Sequence, residues 1–202
     1  MPRFLIATTN VGKLQEYCIL LRQFPFVLVA LEDLGIRDVA PETGENFTEN
    51  GVQKAKFYCQ RSGLITVADD GGLEIDYLDG APGILSNRWL GHKASDQEMV
   101  EGILQKMRGV PEKKRGAQFR AVVAIAIPGE DRVHTFEGIL RGLILDIPAS
   151  EIIPGLPYRS IFYLPQVGKV FSDLSIEEGA TLSHRKQAIE KARNFLESIS
   201  LP

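Results

Sequence analysis

Phe4-Leu5-Ile6-Ala7-Thr8-Thr9-Asn10-Val11-Gly12-Lys13 is the stretch on which the reading of this chain turns. A short apolar run, Phe4 to Ala7, stops at polar residues, and a glycine follows. From Lys13 to Leu21 the apolar residues Leu14, Cys18 and Leu21 then recur at helical spacing. The chain therefore opens as strand, polar loop, helix. Leu64 to Ala68 repeats the buried-strand pattern and runs into Asp69-Asp70-Gly71-Gly72, with Leu73 to Tyr77 as a further short strand. Two apolar runs that end in polar, glycine-bearing loops point to an α/β sheet with chemistry at its strand ends.

The rest of the chain fills in that plan. Phe26 to Leu31 reads as a strand and residues 32–46 as a loop. Phe47 to Gln60 reads as a helix with Val52, Ala55 and Cys59 on one face, ended by Gly63. Asp96 to Met107 aligns Met99, Ile103 and Met107 on a helix. Phe119 to Ile127 and Val133 to Leu140 form a hairpin across Pro128-Gly129-Glu130-Asp131, with Gly142 to Ile147 as an added strand and Ile161 to Leu164 as another. The last helix follows Ser183, with Ala188, Ala192, Phe195, Leu196 and Ile199 on one stripe. A β-rich middle between αβ units predicts a mixed sheet flanked by helices, as one domain over residues 1–202.

Composition excludes several classes. With Lys+Arg 23 against Asp+Glu 26, the net charge of −3 leaves no global basic field for nucleic acid. No apolar run is long enough to span a membrane, and the apolar part of residues 1–8 is too short for a signal peptide. Cys18 and Cys59 lie in helical stretches beside apolar neighbours and read as buried thiols, so the expected compartment is the reducing cytoplasm.

Three constellations can carry chemistry. Thr9-Asn10-Val11-Gly12-Lys13 enters a helix, whose N-terminus offers unpaired N–H groups and a positive dipole end to phosphate; the same residues also suit an ordinary turn with a surface lysine. Its glycine spacing is not that of a Walker loop. Glu42 and Asp69-Asp70 supply hard oxygen ligands for Mg²⁺ and a base for water, while Asp-Gly is equally a common turn pair. Ser183-His184-Arg185-Lys186 places an N-cap before three basic residues in a first turn. Each charged one is disfavoured there by about 0.3–1 kcal/mol unless an anion binds. A solvated basic turn is the plainer alternative. Trp89 and Tyr158 are aromatics able to stack on a base, or simply core residues; His92 and His134 receive no role.

Taken together, Ala7 to Lys13, Glu42-Thr43-Gly44 with Phe47 to Asn50 and Lys54-Ala55, Ala68 to Leu73, Gly80-Ala81-Pro82-Gly83 with Ser86 and Arg88, and Ser183-His184-Arg185 resemble the inosine triphosphate pyrophosphatase family. The resemblance runs from Phe4 to the final helix. It implies an elongated mixed sheet in two lobes with a central cleft, and a homodimer. The implied reaction is Mg²⁺-dependent cleavage of inosine, xanthosine and deoxyinosine triphosphates to a monophosphate and pyrophosphate. It implies Asp70 as general base and metal ligand, Glu42 and Asp69 beside the metal, and Thr8, Thr9, Asn10, Lys13, Gly71, Tyr158, His184 and Arg185 around the substrate. A nucleotide-binding protein of the same fold with weak or lost catalysis is the alternative.

The chain departs from the family pattern at five positions, one of them Pro157, which replaces a flexible glycine and removes an N–H. Gly71 replaces a serine, Leu156 a phenylalanine and Arg159 a carboxylate, and Gly179 stands where a lysine is expected. These changes fall on the base-reading part of the implied site, so base preference is the property expected to differ.

Overall fold

The computed structural model describes residues 1–86, 89–92, 94–149 and 151–200. Arg88, singled out above, lies outside them. Strand β1 (Arg3–Ile6) leads through a loop into helix α1 (Val11–Leu21), and β2 (Val27–Ala30) returns beside β1. Helix α2 (Phe47–Ser62) precedes β3 (Ile65–Ile75). Helix α3 (Asp96–Lys106), the long pair β4 (Gly116–Ala126) and β5 (Val133–Ile144), and the short strands β6 (Phe162–Leu164) and β7 (Lys169–Val170) follow. Helices α4 (Ile176–Leu182) and α5 (His184–Ser200) close the chain.

The seven strands form one sheet in the order β2-β1-β3-β4-β5-β6-β7. β1 is parallel to β2 and β3, and all later pairs are antiparallel, so the mixed sheet expected from the sequence is present. Local chemistry sets the helix ends. The side chains of Asn10, Asn46, Ser95 and Ser175 each accept an N–H in the first turn of their helix, and Gly63 closes α2 in the left-handed region. Among the described residues no helix is long and apolar enough to cross a membrane.

Three expectations are corrected. Asp69-Asp70-Gly71-Gly72 is not a strand end followed by a second strand; β3 runs unbroken through it. The ladder to β4 extends from Thr66↔Ala126 to Ile75↔Ala117, so pairing along a whole neighbouring strand overrides the local turn tendency of Asp and Gly. Gly142 to Ile144 likewise belongs to β5 and is no separate strand. Helix α1 buries Gly12, Glu16, Tyr17, Leu20 and Leu21, which turns Cys18 outward to solvent, whereas Cys59 is buried as expected.

The apolar side chains collect at the two ends of β3 and β4. At one end, Val67 and Ile125 join Phe4, Ile6, α1 and α5 on one face of the sheet, while Ala68 and Ala124 meet α2 on the other. At the far end, Leu73, Ile75, Ala117 and Phe119 pack with α3, β6 and Phe171. Between them lies the polar tetrad 69–72. The two lobes are these two packed ends, and the cleft is the waist where the core is interrupted. Gly138 lets the start of α5 lie on β5, since a Cβ there would strike the His184 carbonyl.

Candidate active site

The pleat explains how two adjacent carboxylates receive different surroundings. Successive strand residues point to opposite faces, so Asp69 and Asp70 diverge. Asp69 meets Lys13 Nζ of α1 at 3.1 Å and Arg185 Nε of α5 at 3.0 Å. Asp70, on the α2 side, accepts from Asn50 Nδ2 at 3.0 Å and Lys54 Nζ at 3.3 Å. Lys54 also reaches Glu42 Oε1 at 2.9 Å and so bridges two carboxylates. Asn50 and Lys54 are four residues apart on α2, one above the other on a single helix face. Because β1 stops at Ile6 while β3 continues, the space beyond β1 opens over both carboxylates.

Charge pairing decides the protonation states. Burial alone would raise the Asp69 carboxyl, but Lys13, Arg185 and Lys54 hold it far below the ordinary carboxylate range. Burial lowers Lys13 despite Asp69. For Lys54 burial is outweighed by Asp70, Asp69 and Glu42, and its ammonium is held more firmly than usual. Burial, reinforced by Arg185, keeps His184 neutral, well below the usual imidazole value.

The Asn10 amide is engaged through both its oxygen and its nitrogen. Oδ1 accepts the Lys13 N–H at 2.9 Å, capping α1, and Nδ2 donates to the Gly155 carbonyl at 2.9 Å. It ties the opening loop to the 155–160 segment. Gly155 N–H is fixed in turn by Asp96 Oδ2 at 2.8 Å. Ser183 caps α5 as expected, taking the Lys186 N–H at 3.1 Å.

These groups line one cleft of about 1150 Å³, counting its open mouth. Thr8, Thr9, Asn10, Lys13, Glu42, Asp69, Asp70, Gly71, Tyr158, His184 and Arg185 all border it. One end is ionic; the other is walled by Phe119, Leu156, Tyr158 and Phe171. His184 stacks on Phe119 with ring centroids 5.3 Å apart. Tyr158 donates its hydroxyl to the Ser86 carbonyl at 3.3 Å, whereas Trp89 packs against the apolar core of the far lobe.

Comparison with known proteins assigns the family. The sequence model of the Ham1 family matches residues 4–195. The chain belongs to the Ham1 family. It is 43% identical over 191 residues to a dITP/XTP pyrophosphatase of Yersinia pseudotuberculosis, covering 94% of this chain and 95% of the relative. It is 34% identical over 198 residues to the dITP/XTP pyrophosphatase of Bacillus subtilis, covering 98% of each. Among solved structures, the Ham1 protein of Staphylococcus aureus superposes with a TM-score of 0.81 at 31% identity, covering 98% of this chain and 99% of that one. A HAM1 protein from Coxiella burnetii gives 0.83 at 31% identity, over 98% and 100%. The resemblance read from the motifs is thereby borne out at the level of family and fold.

Sequence reasoning left three groups of this Ham1 site unassigned. Lys54 and Asn50 stood only as parts of a resembling segment; their four-residue spacing before an acidic strand was the available signal. Glu16 has no exposed surface and is bound by Arg159 and, at 2.7 Å, by Arg185 Nη1. Nothing local marks Glu16, because both arginines arrive from far along the chain. Asp69, expected beside a metal, pairs with Lys13 and Arg185.

Proposed function

We propose that the protein is a metal-dependent nucleoside triphosphate pyrophosphohydrolase acting on non-canonical purine nucleotides such as dITP, ITP and XTP. The observation that carries this reading is the division of one cleft into an ionic end, with Lys13, Lys54 and Arg185 beside Asp69 and Asp70, and an aromatic end able to hold a base. Relatives bearing the name dITP/XTP pyrophosphatase over nearly the whole chain support the substrate class.

Among the described residues no three His, Cys, Asp or Glu side chains converge as a ready-made metal cage. Mg²⁺ does not need one, since it commonly takes one or two carboxylates together with substrate phosphates. Asp70 and Glu42, already sharing the Lys54 ammonium, fit that requirement, with Asp69 next to them on β3, where it also positions Lys13 and Arg185. A bound Mg²⁺ would neutralise phosphate charge and polarise the α-phosphoryl group. Asp70 accepts a proton from the attacking water, oriented by Asn50. The water oxygen joins the α-phosphorus, the bond to the bridging oxygen breaks, and pyrophosphate leaves with its charge met by Lys13 and Arg185. The α1 N-terminus adds backbone N–H groups for phosphate.

The test is purified protein with Mg²⁺ and a panel of ITP, XTP, dITP, GTP and ATP, with separate detection of monophosphate, pyrophosphate and orthophosphate. Monophosphate and pyrophosphate in equal amounts are expected. Orthophosphate as first product, or no turnover of any triphosphate, would remove the reading. The homodimer and cytoplasmic setting implied by the resemblance belong to the same proposal; sedimentation checks the first and cell fractionation the second.

A further inference from the structure

The loop that carries Glu42 contains no helix or strand, yet it is held to α2 at regular intervals. Tyr58 Oη accepts the Ala40 N–H at 3.2 Å and donates to the Asp38 carbonyl at 3.1 Å. Lys54 Nζ donates to Glu42 Oε1 at 2.9 Å, and Asn50 Oδ1 accepts the Gly44 N–H at 2.8 Å. Residues 58, 54 and 50 form one stripe of the helix, while 40, 42 and 44 are alternate residues of the loop. The spacings match: four helical residues rise about 6 Å, and two residues of extended chain span about 6.6 Å. The intervening loop residues fall on the next stripe, where the Thr43 N–H reaches Gln53 at 3.2 Å and the Glu45 N–H reaches Glu49 at 2.8 Å.

This register brings both carboxylates of the proposed metal site against one helix. Asn50 is 2% exposed, and its other end donates to Asp70 Oδ2, so a single amide joins the Glu42 loop to β3. An amide suits both partners, since it offers an acceptor to the Gly44 N–H and a donor to the carboxylate. Two glycines permit the close approach. A Cβ on Gly44 would stand 2.5 Å from the Glu49 Cβ, and one on Gly51 would stand 3.3 Å from the Val122 carbonyl oxygen of β4. Tyr58, 4% exposed, and Asn50 thus grip the chain two residues to either side of Glu42, while Lys54 holds the carboxylate between them.

We propose that Tyr58 and Asn50 are positioning residues for the metal: they fix the loop register that lets Glu42 and Asp70 meet one divalent cation, as both already meet the Lys54 ammonium. This rests on the reading above that Glu42 and Asp70 hold the metal. A loop that had to be ordered each time the cation arrived would subtract that ordering from its affinity. A slip of one residue would exchange the two sets of contacts and carry Glu42 to the neighbouring stripe. The effect needs no contact with nucleotide or metal. Partners standing behind metal ligands commonly change metal affinity or activity by about 10–100-fold.

The experiment measures Mn²⁺ affinity without turnover, by calorimetric titration in the presence of the α,β-methylene analogue of ITP, for the wild type, Tyr58→Phe, Asn50→Ala and Gly44→Ala. The last variant displaces the loop while Asn50 keeps Asp70. The Mn²⁺ dissociation constant should rise about tenfold or more in each variant. In turnover assays the Mg²⁺ concentration for half-maximal rate should rise in parallel, and excess Mg²⁺ should bring the Tyr58→Phe rate back towards the wild type. A fall in Tm with Mn²⁺ affinity unchanged makes these residues structural and overturns the proposal. A loss confined to Asn50→Ala limits the effect to Asp70 and overturns the loop register. Should Asn50→Ala fail to fold, Tyr58→Phe, which removes a single oxygen, and Gly44→Ala decide. Should the wild type cleave no triphosphate, the hydrolytic reading fails, while the Mn²⁺ titrations still judge the proposal. A wild type that takes up no Mn²⁺ with the analogue sinks it.

Discussion

Glu16→Gln is the most informative single change in the molecule. The glutamate has no exposed surface and is the only carboxylate that Arg159 contacts among the described residues. Arg185 binds it too but keeps Asp69. Glutamine preserves the volume and one acceptor oxygen while deleting the charge. Removing one partner of a buried ion pair typically costs 3–5 kcal/mol, because the remaining charge stays desolvated. Here Arg185 retains a carboxylate and Arg159 retains the Phe171 ring, which places the loss near the lower end, about 3 kcal/mol. For a chain of this length that is a fall in Tm of roughly 6–12 °C. Urea denaturation of the wild type, Glu16→Gln, Arg159→Met and the double variant gives the coupling directly, and the double variant should be less destabilised than the sum by at least about 1 kcal/mol. Nucleotide should also recover part of the lost stability, since the variant cleft carries an excess positive charge. A loss below about 1 kcal/mol, or simple additivity, would refute the picture of a desolvated Arg159–Glu16–Arg185 chain.

Three further outcomes are expected. Asp70→Asn should lower kcat for pyrophosphate release by about 10²–10⁴-fold with little change in Tm; retained activity would take Asp70 out of the mechanism. Burial holds His184 neutral in the folded state, while the unfolded chain takes up a proton below about its ordinary 6.5, so the native state loses stability as pH falls through that value. Between pH 7.5 and 5.5 the wild type should lose about 1.4 kcal/mol that His184→Gln does not, measured by chemical denaturation at both pH values. Asn10→Ala should cost about 0.5–2 kcal/mol through the lost cap on α1, and should speed proteolysis in the 155–160 segment by freeing Gly155; an unchanged cleavage pattern would refute that second role.

The parts of this site legible in the sequence are those with local physics. Ser183 announces a helix start through its capping chemistry, and the apolar run before Thr8 announces a strand. What was not legible depends on distant partners. Asp69 to Gly72 has the composition of a turn and is a strand only because ten residues of β4 lie against β3 from Thr66 to Ile75. Glu16 looks like a solvated helical residue until Arg159 and Arg185, 143 and 169 positions away, are seen to bury it. The spacing of Leu14 and Leu21 points Cys18 inward, but the burial of Glu16 and Tyr17 turns that side of the helix to solvent. The Gly179 substitution looks like a loss until the Arg159 guanidinium is seen beside it, which no reading along one segment reveals.

The waist of the sheet has one more consequence. Lys13, Lys54, Arg159 and Arg185 stand against Glu16, Glu42, Asp69 and Asp70, each cation already holding a carboxylate. Before any ligand arrives, each of these cations is thus already matched by a carboxylate, and Asp96 adds a further acidic residue to the lining. The cleft is an ion exchanger, not an anion trap: an incoming polyphosphate must take cations away from carboxylates that remain in place. Free phosphate gains little from such a swap. A nucleotide that carries its own divalent counter-ion gains much more, because Asp70 and Glu42, which share Lys54, then have a second cation to hold. The ion pairs thus set a threshold for ligand entry that weak competition by orthophosphate against nucleotide would check.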